Sequence, residues 1–251
     1  MITLQELSKI LDSLMQTPGL SDYCPNGVHV EGQAEIHKIG LAVSASLATI
    51  EKAVDLKCQA LIVHHGLFWN KDEYPLIGTK QKKLALLLKH GISLIAYHLP
   101  LDMHSELGNN WKAAKDLGWT NLKPFGFMNR LPLGVQGKIP PQTRQAFKEK
   151  LEGYYQHSAS IAWGGKEIVE SVGLISGGAH RSILEAAQEG LDCFVTGSFD
   201  EPTWHQAFEE KINFFALGHS ATERVGPQAL GKYLQSTIGI ECPFIDIPNP
   251  F

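Results

Sequence analysis

The chain has 251 residues, of which 43% are hydrophobic and 19% are charged; this supports a packed core and excludes a disordered, tail-like protein. Its formal net charge of −4 disfavours a nucleic-acid-binding surface, which would show a clustered surplus of Lys and Arg. No stretch reaches the ~18 uninterrupted apolar residues of a membrane span, and the N-terminus lacks the pattern of a secretory signal.

The first half of the chain alternates short apolar runs with segments of helical periodicity. Residues 1–16 predict an amphipathic helix capped by Thr3, with Glu6 completing a capping box. Short runs of branched apolar residues predict buried strands at Ile39–Val43, Ala60–Val63 and Ile92–Tyr97. Apolar residues at helical spacing predict helices at Leu47–Lys57, Lys80–His90 and Glu106–Leu117.

The second half shows the same alternation. Strands are predicted at Val172–Ile175, Cys193–Thr196 and Phe214–Leu217, and helices at Ser182–Glu189, Thr203–Lys211 and Ala221–Gln235. The stretch from Leu122 to Lys166 is interpreted as an entry strand and helix, with Pro140-Pro141 opening a helix at Gln142–Glu152. Strand–helix–strand alternation implies parallel pairing with right-handed crossovers, so the predicted fold class is α/β.

The two halves also resemble each other at a fixed offset of 133 residues. Gly40 aligns with Gly173 and Ile50 with Ile183, and no gap is needed from the first strand of each half to the second. Any two strand–helix–strand units share part of this similarity. After a loop that is 12 residues longer in the first half, however, the match also aligns His98 and Asp102 with His219 and Glu223. We therefore predict two structurally related α/β lobes, 1–125 and 126–251, with the C-terminal tail as a candidate to return to the first lobe.

The four cysteines lie far apart and form no C-x-x-C pair. This spacing is typical neither of a disulfide framework nor of a thiolate metal site. We interpret them as core or loop residues and expect a cytoplasmic protein. They are Cys24, Cys58, Cys193 and Cys242.

Two adjacent imidazoles, His64 and His65, follow the apolar strand that contains Ala60–Val63. Ligands of open α/β sheets bind beyond the carboxyl ends of the strands, which makes this pair a candidate site. Successive strand side chains point in opposite directions, so one ion should not easily bind both rings. Either each His serves a different ion, or one is a ligand and the other packs.

A second candidate cluster, His98 with Asp102, follows the strand Ile92–Tyr97. Pro100 is expected to keep Leu99 extended, which would put Asp102 on a loop where its carboxylate can reach inward. The alternative is that Asp102 caps the following helix.

The third cluster is His219 with Glu223, directly after Phe214–Leu217. If a helix begins near Ser220, these two side chains lie one turn apart on the same face and converge on one point. Helix capping explains Glu223 alone but not His219. Three clusters at three strand ends therefore predict a metal site formed by His64, His65, Asp102, His219 and Glu223.

Three imidazoles and two carboxylates, without a thiolate, suit Zn, Mn, Fe, Co or Ni and disfavour an all-oxygen Ca²⁺ site. Five ligands are too many for one tetrahedral ion and too few for two, unless a carboxylate and waters bridge. Two divalent ions ~3.5–4 Å apart would be the arrangement of a hydrolase.

At this point the motifs resemble the Nif-three-like family, also known as GTP cyclohydrolase type-two homologues, over nearly the whole chain. The resemblance lies in the order of Asp22–Val28, His64–Gly66, His98–Asp102, Thr196-Gly197 and Gly218–Arg224, with the ending Phe244–Pro250 typical of a short bacterial branch. It implies two α/β lobes with a dinuclear metal centre in the cleft between them, and a ring-shaped homohexamer. It also implies the same five ligands, with Glu223 as the bridge.

The leading functional prediction is a metal-dependent hydrolase of a small, nucleotide- or pterin-like substrate. The sequence contains no P-loop for phosphate binding. The alternative is a non-enzymatic metal-binding or scaffold protein that delivers ions or binds protein partners. For a hydrolase, His98 is the candidate acid–base group, although it is equally suited to orient Asp102, and the Asn26-Gly27 turn is the candidate substrate loop.

Overall fold

A computed structural model describes residues 1–16, 20–128 and 130–251. Within these ranges no helix is long and apolar enough to cross a membrane. The strands are β1 Ile2–Thr3, β2 Gly27–Val30, β3 Glu35–Ile36, β4 Ile39–Ser44, β5 Ala60–His65, β6 Ser93–Ala96, β7 Thr120–Met128, β8 Leu131–Thr143, β9 Ser160–Trp163, β10 Ile168–Leu174, β11 Cys193–Thr196 and β12 Asn213–Ala216. The α-helices are α1 Leu4–Leu14, α2 Leu47–Asp55, α3 Gly78–His90, α4 Leu99–Met103, α5 Asn109–Asp116, α6 Arg144–Tyr155, α7 Ile183–Gln188, α8 Glu201–Glu209, α9 His219–Thr222 and α10 Val225–Ile238.

By its internal contacts the chain divides into two compact units. Unit 1 contains residues 1–104 and 226–248, and unit 2 contains residues 105–225 and 249–251. The boundary expected from the sequence pattern lay at residue 125, whereas the contacts change from one unit to the other at residue 104. The segment 226–248 belongs to unit 1 because two of its residues form β-bridges there. Glu241 pairs with Lys38, which precedes β4, and Phe244 pairs with Leu41 in β4.

Unit 1 is built on a four-stranded sheet with the order β2-β6-β5-β4. The strands β4, β5 and β6 are parallel, and β2 runs antiparallel to β6. The three parallel strands are those that the apolar runs predict, and their side chains are almost all buried. Helix α1 begins at the predicted capping box, in which the side chains of Thr3 and Glu6 each accept from the other's backbone N–H.

Unit 2 contains a six-stranded mixed sheet with the order β7-β8-β10-β11-β12-β9. The strands β10, β11 and β12 are parallel, as predicted, and the other three are antiparallel to their neighbours. The expected helix at Gln142–Glu152 is wrong at its start, because Pro140 and Pro141 lie in β8 and the helix begins after Thr143. The Thr143 side chain caps it by accepting from the backbone N–H of Ala146.

Each unit contains the same run of four strands, three parallel and one antiparallel. The antiparallel member is β2 in unit 1 and β9 in unit 2, beginning at Gly27 and Ser160, which is again an offset of 133 residues. The fold class is therefore α/β, as predicted, with two similarly built sheets. In unit 2 the hairpin of β7 and β8 extends that sheet.

One predicted helix is two. The sequence pattern predicts a continuous helix at Ala221–Gln235, but the chain forms the single turn α9 and then the separate helix α10. Glu223 and Arg224 lie at the break between them. The break places Glu223, a predicted ligand, at the end of α9 and not inside a continuous helix.

Candidate metal centre

His64 is the buried member of the tandem pair at the end of β5. Its Nδ1 lies 3.2 Å from the carbonyl oxygen of Tyr97, and because a carbonyl only accepts, Nδ1 carries the proton. In a neutral ring the lone pair is then on Nε2, which lies 3.6 Å from Oδ2 of Asp102. In this tautomer the imidazole and the carboxylate could bind one cation together.

His65 is held by the neighbouring strand, because its Nδ1 lies 2.9 Å from Oγ of Ser44 in β4. The rings of His64 and His65 have their centroids 4.7 Å apart. The rings lie side by side although His65 is still the last residue of β5, and that one ion does not easily bind both of them stays a prediction.

His98 lies against the same pair, with ring centroids 4.9 Å from His64 and 5.7 Å from His65. One ring nitrogen from each of the three imidazoles lies within 4.8 Å of the other two. The ring of Trp69 packs edge-on against His98, with centroids 5.3 Å apart. Unit 1 thus contains a cluster of three imidazoles that could hold a metal ion.

Asp22, in the loop before β2, is hydrogen-bonded to the ring of His98. Its Oδ1 accepts a hydrogen bond from Nδ1 of His98 at 2.7 Å. Burial alone raises the pKa of Asp22, but the hydrogen bond and charge of His98, with hydrogen bonds from Asn26 and Leu99, lower this pKa to about 2. The carboxylate is therefore ionised at neutral pH.

Asn26 and Gly27, the predicted substrate loop, lie in the same network. The Asn26 side chain donates to Oδ2 of Asp22 at 3.0 Å and accepts from the backbone N–H of His98 at 2.8 Å. Gly27 opens β2 with a φ of 107°, a conformation that a side chain would strain. Asn26 thus links the loop to His98.

Asp102 is not on a loop. It lies in the short helix α4, which begins at Leu99, so the expectation that Pro100 keeps Leu99 extended is wrong. Pro100 occupies the first turn of the helix, where a missing N–H costs nothing. The helix turns the buried carboxylate of Asp102 back toward His64.

In unit 2, His219 and Glu223 converge as their spacing predicts. Nε2 of His219 lies 3.3 Å from Oε1 of Glu223. Glu223 is buried, whereas His219 is 40% exposed at its side chain. A buried carboxylate beside an imidazole is a donor set that a divalent cation fits.

Two glycines lie so close to His219 and Glu223 that a side chain at either position would collide with this pair. A Cβ on Gly177 would lie 2.2 Å from Oε1 of Glu223, and a Cβ on Gly197 would lie 2.6 Å from Cα of His219. The N–H of Gly177 donates to Oγ1 of Thr222 at 3.0 Å, which fixes the loop next to the carboxylate. The Gly177-Gly178 pair stands out in the sequence, but only the structure shows that Gly177 lies against Glu223.

The donor sets of the two units therefore suit a divalent first-row metal such as Zn, Mn, Fe, Co or Ni, and they contain no thiolate. Burial raises the pKa of Cys24 and of Cys58 to about 11, which keeps both as thiols. Sequence reasoning identified His64, His65, His98 and Asp102 in unit 1 and His219 and Glu223 in unit 2. It assigned no role to Asp22, Ser44 or Thr222, whose supporting contacts only the structure shows.

Known proteins resemble the chain over its whole length. The family described as Duf34/NIF3 (NGG1p interacting factor 3) matches residues 2–250. A relative from Chlamydia muridarum, named GTP cyclohydrolase 1 type 2 homolog, is 47% identical over 248 residues, which cover 98% of each chain. Among solved structures, protein ybgI, described as of unknown function, has a TM-score of 0.93 at 37% identity and full coverage of both chains. The protein TTHA1606 from Thermus thermophilus has a TM-score of 0.90 at 33% identity, again with full coverage of both.

Proposed function

The chain belongs to the Duf34/NIF3 family, and on that premise we propose that it is a metal-dependent hydrolase with a dinuclear centre. Its substrate would be small and nucleotide- or pterin-like. The relatives named GTP cyclohydrolase 1 type 2 homolog support this substrate class.

The observation that supports metal binding most directly is that each unit pairs an imidazole with a buried carboxylate. Nε2 of His64 faces Asp102 at 3.6 Å, and Nε2 of His219 faces Glu223 at 3.3 Å. Asp102 and Glu223 are buried, and a carboxylate beside an imidazole is a ligand set that divalent first-row transition metals accept.

In this proposal five side chains hold two divalent ions. These side chains would be His64, His65 and Asp102 of unit 1 and His219 and Glu223 of unit 2, with His64 and His65 serving different ions. The metal is Zn, Mn, Fe, Co or Ni, because these ions accept mixed imidazole and carboxylate ligands. When bound, such ions lower the pKa of a coordinated water toward ~7 and so supply a nucleophile at neutral pH.

His98 would accept the proton that hydrolysis releases. Its ring lies beside those of His64 and His65, and His98 is not one of the five proposed metal ligands. The Asn26-Gly27 loop would contact the substrate, since Asn26 is bonded to the backbone of His98. As the family resemblance implies, we further propose a homohexamer, which light scattering of the purified protein would distinguish from a monomer.

The test begins with elemental analysis of untagged protein after reconstitution with each candidate metal. We expect two ions per chain, and fewer in Glu223→Ala because one of the proposed ligands is lost. Wild type and variant that are equally metal-free would contradict the proposed centre. The loaded protein is then screened against nucleotides, phosphoesters and cyclic amides.

The outcome of the screen separates two functions. Hydrolysis that depends on the metal supports the enzyme. Full metal loading without hydrolysis of any of the three classes would replace it with a non-enzymatic metal-binding or scaffold protein.

A further inference from the structure

Asp22 belongs to the Asp22–Val28 motif but has no part in the proposed ligand set. Its side chain is only 5% exposed. Oδ1 accepts from Nδ1 of His98 at 2.7 Å and from the backbone N–H groups of Tyr23 and Cys24 at 2.6 and 3.2 Å. Oδ2 accepts from the backbone N–H of Leu99 and from the Asn26 side chain, both at 3.0 Å. Five donors thus surround one carboxylate.

This arrangement determines which nitrogen of His98 carries the proton. An ionised carboxylate only accepts, so Nδ1 of His98 is the donor, and whenever the ring is neutral its lone pair is on Nε2. Nδ1 faces Asp22, and one ring nitrogen of His98 lies within 4.8 Å of ring nitrogens of His64 and His65.

The same bonds fix the direction of the ring. Asp22 cannot rotate without breaking the bond from Leu99, and the bond from the His98 backbone to Asn26 fixes the other end of the residue. Trp69 packs edge-on against the imidazole. His98 is therefore held by its backbone N–H, by its Nδ1 atom and by the contact of its ring with Trp69.

We propose that Asp22 is the positioning residue of His98: it selects the Nδ1–H tautomer and directs the lone pair of Nε2 toward the His64 and His65 imidazoles. Its effect on turnover rests on the proposed function, in which His98 accepts a proton. Its effect on the tautomer does not depend on that function.

A neighbouring carboxylate provides a matched control. Asp12 accepts a hydrogen bond from the hydroxyl of Tyr97, the residue before His98, at 2.5 Å. Asp12→Asn removes the same charge from the same unit and leaves the five bonds of Asp22 in place. Asp22→Asn must instead direct an NH₂ group at N–H donors, whichever way the amide is turned.

The first measurement uses Zn²⁺-loaded full-length protein labelled with ¹⁵N-histidine. The chain has 11 histidines, so the His98 signals are identified by their loss in His98→Asn. Ring ¹⁵N shifts in wild type and in Asp12→Asn should show one Nδ1–H tautomer with an Nε2 that is not bound to metal. Asp22→Asn should show both tautomers.

The second measurement compares metal content and turnover on any substrate from the screen. Asp22→Asn should retain both ions and lose about 10–100-fold in turnover, the usual effect of removing a group that orients a functional side chain. Asp12→Asn should change neither.

Several results would overturn the assignment. They are an Nε2–H tautomer or a zinc-bound Nε2 in wild-type His98, an unchanged tautomer in Asp22→Asn, and loss of metal in Asp22→Asn. If Asp22→Asn does not fold, the wild-type tautomer decides the question. If no substrate is found, the proposed hydrolase fails while the tautomer measurement still stands.

Discussion

The two units position their predicted ligands by different means. In unit 1 the ligand His65 is held by a side chain of another strand, Ser44, at 2.9 Å, and the neighbouring His98 is held by Asp22 at 2.7 Å, whereas His64 is bonded to the backbone carbonyl of Tyr97. In unit 2, backbone surrounds the pair of His219 and Glu223, with Gly177 against the carboxylate. The Ser198 hydroxyl lies near Nδ1 of His219, but at a long 3.5 Å.

This difference predicts which kind of substitution disturbs the candidate site residues of each unit. A ring held by a side chain depends on one hydrogen bond, which a substitution such as Ser to Ala removes without moving the backbone. A carboxylate packed against glycine depends on the absence of a Cβ. The first arrangement is sensitive to lost polar groups, and the second is sensitive to added volume.

The largest expected effect is the complete loss of one ion. His64→Ala and Asp102→Ala should lose the same ion, because these side chains face each other at 3.6 Å. His65→Ala, whose ring is held from β4 by Ser44, should lose the other ion. Anomalous scattering from crystals of each variant identifies which ion remains.

If His64→Ala and His65→Ala lose the same single ion, the strand end acts as one chelate and the assignment to two ions is wrong. Circular dichroism of each variant is needed beside these data, because His64 is fully buried and its loss leaves a cavity.

The next largest effect concerns added volume in unit 2. In Gly177→Ala the new Cβ would lie 2.2 Å from Oε1 of Glu223, and the carboxylate must move. We expect metal affinity to fall by about 100-fold, at the upper end of what displaced ligand geometry costs. A competition titration with a coloured chelator measures the change.

Two other glycines of unit 2 serve as controls. Gly190 has a φ of 69°, close to the 67° of Gly177, but no atom lies within 4 Å of its Cβ position, so Gly190→Ala isolates the backbone strain of about 1–2 kcal/mol. Gly178→Ala adds a Cβ that comes no closer than 3.5 Å to His219. Equal losses of affinity in Gly177→Ala and Gly190→Ala would show that strain, rather than contact with Glu223, is responsible.

The smallest effect tests the hydrogen bonds directly. Ser44→Ala removes the bond to Nδ1 of His65 and should weaken metal binding by about tenfold. Ser198→Ala removes the 3.5 Å contact to His219 and should weaken binding by less than about threefold. The same chelator titration compares the two, and a larger effect in Ser198→Ala would reverse the contrast between the units.

Much of the fold and of the candidate site could be read from local patterns. The parallel strands are short apolar runs with buried side chains on both faces, which makes them easy to recognise. The antiparallel strands β2, β7, β8 and β9 were missed or only partly recognised because they are partly exposed and mix Gly, Pro and polar residues with apolar ones. His219 and Glu223 are only four residues apart, at the two ends of the single helical turn α9, so their convergence is a local property.

The sequence by itself determined the α/β class, the strand ends and the chemical identity of the candidate ligands, because periodicity and residue type are local properties. Only the tertiary structure decided how those ligands are supported. The residues bonded to His98 and His65 lie 76 and 21 positions away, at Asp22 and Ser44. Such contacts depend on which strands are neighbours, on the register between them and on where each loop folds back, and none of these is encoded in a short window of sequence.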